Sequence, residues 1–171
     1  MGSKNSNEEW PTLKISPEHI KVEKADVSVE VKNQYSSDNP AKILVEFTNL
    51  IEERMISFAG TPPFYDLSTT NEDGNKLFLI ADDQDSIYLD APEPLIPEKP
   101  INGCWRIPEG NLAETLARPI VTLEKEESVS RVYSLLDGRN DICLPTGSYR
   151  FKEEDYFEGE ESFGFDVTLI R

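Results

Sequence analysis

The chain has one histidine, His19, in 171 residues. Any mechanism that needs a positioned imidazole therefore has one candidate. That candidate follows Ser16-Pro-Glu18 in a stretch that reads as a tether, so it is expected to be a surface histidine, and no catalytic residue is assigned. Cysteine is scarce as well. Cys104 and Cys143 stand alone, and two thiols with so little histidine cannot make a zinc site. No run of 18 apolar residues exists, so no helical membrane span is predicted, and no signal-peptide core is visible. There is no glycine-rich phosphate loop. Positive charge is the last shortage: 17 Lys+Arg face 33 Asp+Glu, a formal net charge of −16. Such a surface repels phosphate backbones and anionic lipid, which argues against nucleic acid as a partner.

Acids, prolines and short alternating runs are what the chain has in quantity. The acidic surplus has two open readings. One is solubility. The other is adaptation to high salt, where screening removes the self-repulsion of a compact acidic state. Twelve prolines and nine glycines favour many short elements over long helices. The length suits one domain. Residues 1–18 read as a flexible leader or tether, punctuated by Pro11 and Pro17, and 19–171 as a single domain. The start, Met1-Gly-Ser-Lys, fits a chain that begins after a removed export signal or lipid-anchor cysteine. It also fits a native cytoplasmic start, or the short Met-Gly-x-x-x-Ser pattern of N-myristoylation.

Period-2 alternation marks the strands. Val27, Val29 and Val31 share one face, and so do Ile43, Val45 and Phe47. Further strands are read at 55–58, 76–80, 86–89, 120–123, 128–135, 147–151 and 162–170. Turn signals separate them: Ser36-Ser-Asp-Asn-Pro40, Asn71-Glu-Asp-Gly-Asn75, Glu124-Lys-Glu-Glu127 and Asp137-Gly-Arg-Asn140. Residues 90–119 hold six prolines and read as a long inserted loop. Within it, 111–117 is read as one or two helical turns capped by Asn111. The expected fold is all-β, an antiparallel sandwich of eight or nine strands.

The stretch Cys143-Leu-Pro-Thr-Gly-Ser-Tyr-Arg-Phe151 carries a more specific sign. Tyr149, two residues after Gly147 at a strand entrance, has the placement of a tyrosine corner. Together with Val121-Thr-Leu-Glu-Lys-Glu-Glu-Ser128 and Tyr133, it resembles the pattern of prokaryotic immunoglobulin-like domains. These include acidic haloarchaeal domains of uncertain role and the intracellular proteinase inhibitors of bacilli. Where that family carries Pro-Gly, this chain has Lys125-Glu126. The resemblance implies an immunoglobulin-like sandwich with Gly147 and Tyr149 as structural residues. It implies a binding or structural module, or alternatively a protease inhibitor, and transfers no inhibitory residue.

Four sets of side chains remain. Cys104 and Cys143 are either two buried thiols or one disulfide pinning the proline-rich loop to the tyrosine-corner strand. A disulfide would indicate an oxidising compartment, hence an extracellular or cell-surface location in place of a cytoplasmic one. Phe64, Tyr65 and Trp105 lie in loops and read either as core plugs or as contact residues for an unknown protein or surface ligand. The acids Asp82, Asp83 and Asp85, and those at 153–161, lack the spacing of a calcium loop and read as solvated charge. No metal or cofactor is expected.

Overall fold

A computed structural model describes residues 10–22, 24–57, 63, 68–83, 88–89, 94–109, 113–114, 120–153 and 163–171. These residues form an all-β, sandwich-like fold without a helix. The strands are β1 (Thr12–Ser16), β2 (His19–Val22), β3 (Ala25–Asn33), β4 (Lys42–Asn49), β5 (Arg54–Ser57), β6 (Ser68–Thr70), β7 (Lys76–Ala81), β8 (Tyr88–Leu89), β9 (Ala113–Glu114), β10 (Ile120–Leu123), β11 (Ser128–Asp137), β12 (Gly147–Glu153) and β13 (Phe163–Ile170).

All pairings between these strands of the described residues are antiparallel. A six-stranded sheet runs β2-β3-β4-β11-β7-β6, and a three-stranded sheet runs β1-β13-β12. The pairs β5/β10 and β8/β9 complete the set. The two larger sheets meet where β1 approaches β3, β13 approaches β2 and β12 approaches β6. Registers explain what fills the space between them. Val27 stands opposite Phe47, Val29 opposite Val45, and Val31 opposite Ile43 and through it Tyr133. From the smaller sheet come Leu13, Tyr149, Phe151, Phe165, Val167 and Leu169, all buried. The Phe151 and Phe165 rings stack at 5.8 Å between centroids. Gly164 permits the close approach of the β12 and β13 backbones, since a Cβ there would sit 2.6 Å from the Phe151 carbonyl oxygen.

The nine strands expected from alternation are all present, and four short ones join them. β1 is the most consequential. Residues 12–16 were expected in a tether, yet they pair along their whole length with β13. The Gln34 side-chain amide secures this strand from the side, accepting from the Leu13 N–H (2.7 Å) and donating to the Leu13 carbonyl (2.9 Å). Trp10 stacks on Tyr35 at 6.4 Å. Residues 10–18 therefore belong to the fold, and the part of the expected leader at 1–9 lies outside the described residues. His19 is exposed and opens β2, so it belongs to a sheet edge. The helical turns expected over 111–117 are corrected at 113–114, with 111–112 and 115–117 outside the described residues. Ala113–Glu114 is a strand paired with Tyr88–Leu89. A helix of one or two turns is marginal on its own, and a ladder partner overrides it.

Candidate functional site

Two places in the fold concentrate chemistry. The first surrounds the C-terminal end of β11. Cys104 and Cys143 form a disulfide with a Cα–Cα separation of 5.7 Å, so of the two readings of these cysteines the cross-link holds. The loop side is shaped by Asn102 and Gly103, with φ of 51° and 76°. Ile101 and Cys104 exchange backbone hydrogen bonds of 2.8 and 3.1 Å across them. Asn-Gly suits a two-residue turn in which both central residues have positive φ. This dipeptide is a strong local hairpin signal that the proline count of the loop obscures.

Asp137, the last residue of β11, ties the parts together. Its backbone carbonyl accepts from Ile107 N–H (2.9 Å) and its N–H donates to the Trp105 carbonyl (2.8 Å). Its carboxylate is fully buried. Oδ1 accepts from the Leu144 N–H and the Asn140 Nδ2, both at 2.9 Å, and Oδ2 accepts from the Asn140 N–H at 3.1 Å. One residue thus fixes both sides of the cross-link, 104–107 through its backbone and 138–144 through its side chain. From sequence Asp137 reads as an exposed turn residue before Gly138. Burial of the five residues Tyr133 to Asp137 is a tertiary fact that alternation cannot carry.

Two tyrosines face this carboxylate. The Tyr149 hydroxyl donates to the Pro145 carbonyl, four residues upstream, at 2.6 Å. The Tyr35 hydroxyl donates to the Leu135 carbonyl at 2.9 Å. Burial first, then the charge of Asp137 and of Asp73, pushes the Tyr149 hydroxyl up to about 12, with Arg171 opposing. Tyr35 is raised well above the ordinary tyrosine value, by burial first and then by Asp137 and Tyr149. Arg171 also donates to the Leu144 and Cys143 carbonyls at 2.9 and 3.0 Å.

Of the two readings of Trp105, core plug or contact residue, the structure places it in the core, against its assignment to a candidate binding loop. Its indole is fully buried and Nε1 donates to the Ser36 carbonyl at 2.6 Å. The neighbouring disulfide and the Asp137 bonds draw the segment inward, so no partner can reach this ring without unfolding the loop. Phe64 and Tyr65 lie outside the described residues. Asp82 and Asp83 are held by cations: Asp82 accepts from Lys42 Nζ (2.5 Å) and from the Ser134 hydroxyl (2.7 Å), and Asp83 pairs with Arg131 at 2.9 Å. Asp85 and residues 154–161 lie outside the described residues. Among the described residues no group of three His, Cys, Asp or Glu side chains converges on a point that could hold a metal ion.

The second place is a concavity on the outer face of the six-stranded sheet. β2 and the residue before it contribute His19 and Glu18, β3 contributes Ser28, Val29 and Glu30, and β4 contributes Leu44 and Glu46. Ser28 stands opposite Glu46 and Glu30 opposite Leu44. The small Ser28 leaves room beside the long Glu46 side chain, which is how a pleated face becomes concave there. Among the described residues no helix is long and apolar enough to cross a membrane. No protein-family model, curated protein or solved structure matches the chain, so a functional reading rests on the chemistry of its own residues.

Proposed function

We propose that this chain is an immunoglobulin-like binding or structural module that works outside the reducing cell interior, at the surface of a salt-adapted microbe. The observation that carries the reading is the disulfide between buried Cys104 and half-buried Cys143. Disulfides persist in oxidising compartments and are rare where glutathione keeps thiols reduced. The Tyr149-to-Pro145 bond supports the immunoglobulin-like part, because that is the contact a tyrosine corner makes. The net charge of −16 supports salt adaptation, since its self-repulsion is relieved by screening.

Alkylation of unreduced protein, freshly isolated from its native source and followed by intact mass, tests the location. Two alkylated cysteines would sink it; an unmodified mass is the expected result. Thermal unfolding from low to molar sodium chloride tests the salt adaptation, with Tm expected to rise. A Tm that falls or stays flat removes that part of the reading.

A further inference from the structure

The concavity over β2, β3 and β4 measures about 470 Å³, inside the roughly 300–1,000 Å³ span of ligand sites. Three carboxylates rim it, from Glu18, Glu30 and Glu46. Leu44 lies in its floor, half-buried on the outward face of a central strand where a polar residue is the usual choice. Glu30 engages Lys32 at 3.4 Å at the exposed rim, while Glu18 and Glu46 enter no ion pair among the described residues. Glu18 is held in place by its own backbone, whose carbonyl accepts from the Val29 N–H at 2.9 Å.

We propose that this concavity docks a basic peptide segment of a partner protein. A lysine or arginine side chain lays its stem on Leu44 and directs its charged head to the carboxylate rim formed by Glu18, Glu30 and Glu46. Long cationic side chains carry both an apolar stem and a charged tip, and the site offers a surface to each. The same carboxylates do not converge as the ligands of a metal ion must. The surplus of negative charge over the whole chain steers a basic partner toward the protein; the floor and rim decide where it stops. This deepens the reading of the chain as a binding module and rests on it.

The test titrates the full isotope-labelled chain with a synthetic peptide alternating serine and lysine, followed by amide chemical shifts and by calorimetry. The expected shifts concentrate at 18–19, 28–30 and 44–46. Glu18→Gln with Glu46→Gln should weaken binding about tenfold, equivalent to roughly 1.4 kcal/mol. The equal-charge control Glu98→Gln with Glu109→Gln, at two exposed acids elsewhere, should have little effect. Leu44→Ser, which leaves the charge unchanged, should also weaken binding. Shifts scattered over the acidic surface, equal losses in both double variants, or no binding at low salt would each overturn the proposal. An intact disulfide in native material together with peptide indifference removes the concavity alone, whereas free thiols with localised peptide binding remove the extracellular location alone.

Discussion

Along β11 the environment changes halfway. From Ser128 to Arg131 the residues alternate between exposed and half-buried, Val132 is half-buried, and from Tyr133 to Asp137 every residue is buried. The first half pairs with the open side of β4, where Thr48, Glu46 and Leu44 meet Ser128, Ser130 and Val132. The second half pairs with β7, where Leu79, Ile80 and Ala81 are buried in succession. An antiparallel sheet with one solvated face shows alternation, and a sheet covered on both faces loses it. The two halves of one strand therefore serve different ends. The covered half anchors the cross-linked loop through Asp137. The open half lies beside β4 on the solvated part of the sheet.

If that division is correct, substitutions at and around the anchoring end of the covered half should cost stability, and those beside the open half should not. Cys104→Ala with Cys143→Ala should have the largest effect, a loss of about 4 kcal/mol in urea unfolding, as expected for freeing a loop of this length. Asp137→Ala should cost about 3 kcal/mol, because it strands the buried Leu144 N–H and the Asn140 donors. A loss well under 1 kcal/mol in the Asp137 variant would show that the disulfide alone holds the region. Tyr149→Phe should cost about 1 kcal/mol, the net worth of one hydrogen bond. At the small end, Glu46→Gln should alter unfolding stability by no more than about 0.5 kcal/mol, with relief of repulsion favouring the variant. A large destabilisation by Glu46→Gln would erase the distinction between the halves.

Alkaline pH sharpens the same contrast. Tyr149 has its hydroxyl pushed up to about 12 in the fold, against about 10 in an unfolded chain. A raised value means the folded chain holds this proton more tightly. Its contribution is therefore fully present below pH ~10 and is lost as pH rises toward 12. Unfolding stability should fall through that window, and the fall should be shallower in Tyr149→Phe. An identical slope in both proteins would place the alkaline sensitivity elsewhere, with Tyr35 the next group to replace.

Much of this was legible in the residues themselves. Val27-Ser-Val-Glu-Val31 and Ile43-Leu-Val-Glu-Phe47 declare one buried and one solvated face, and the structure gives them those faces. Asn71-Glu-Asp-Gly-Asn75 turns the chain as its composition predicts, with the Asn71 side chain accepting from the Asp73 and Asn75 N–H groups. Glu126 was harder to foresee. It adopts φ of 68° in a turn where the resembling family carries glycine, and its N–H donates to the Asn49 carbonyl at 2.6 Å. Asn49 itself, the buried last residue of β4, accepts from Arg54 Nε at 2.6 Å and donates to the Leu123 carbonyl at 3.1 Å. These amides take the place of missing backbone partners, and nothing near them in sequence shows which backbone groups will lack one. The concavity was equally hidden, since Glu30 comes from β3, Glu46 from β4 and Glu18 from the residue before β2.

Composition and period-2 alternation by themselves determined that this chain is an acidic, all-β protein of many short strands, because burying one face of each strand is a local demand written every second residue. They also placed Tyr149 and Cys143 at one strand entrance. Only the tertiary structure decided that Trp105 fills the core, that Asp137 is buried with the cross-link, that residues 12–16 are a strand, and that three distant glutamates rim one hollow. Each of those outcomes depends on which segments pack together, and packing joins residues whose separation in the chain carries no signal of their contact.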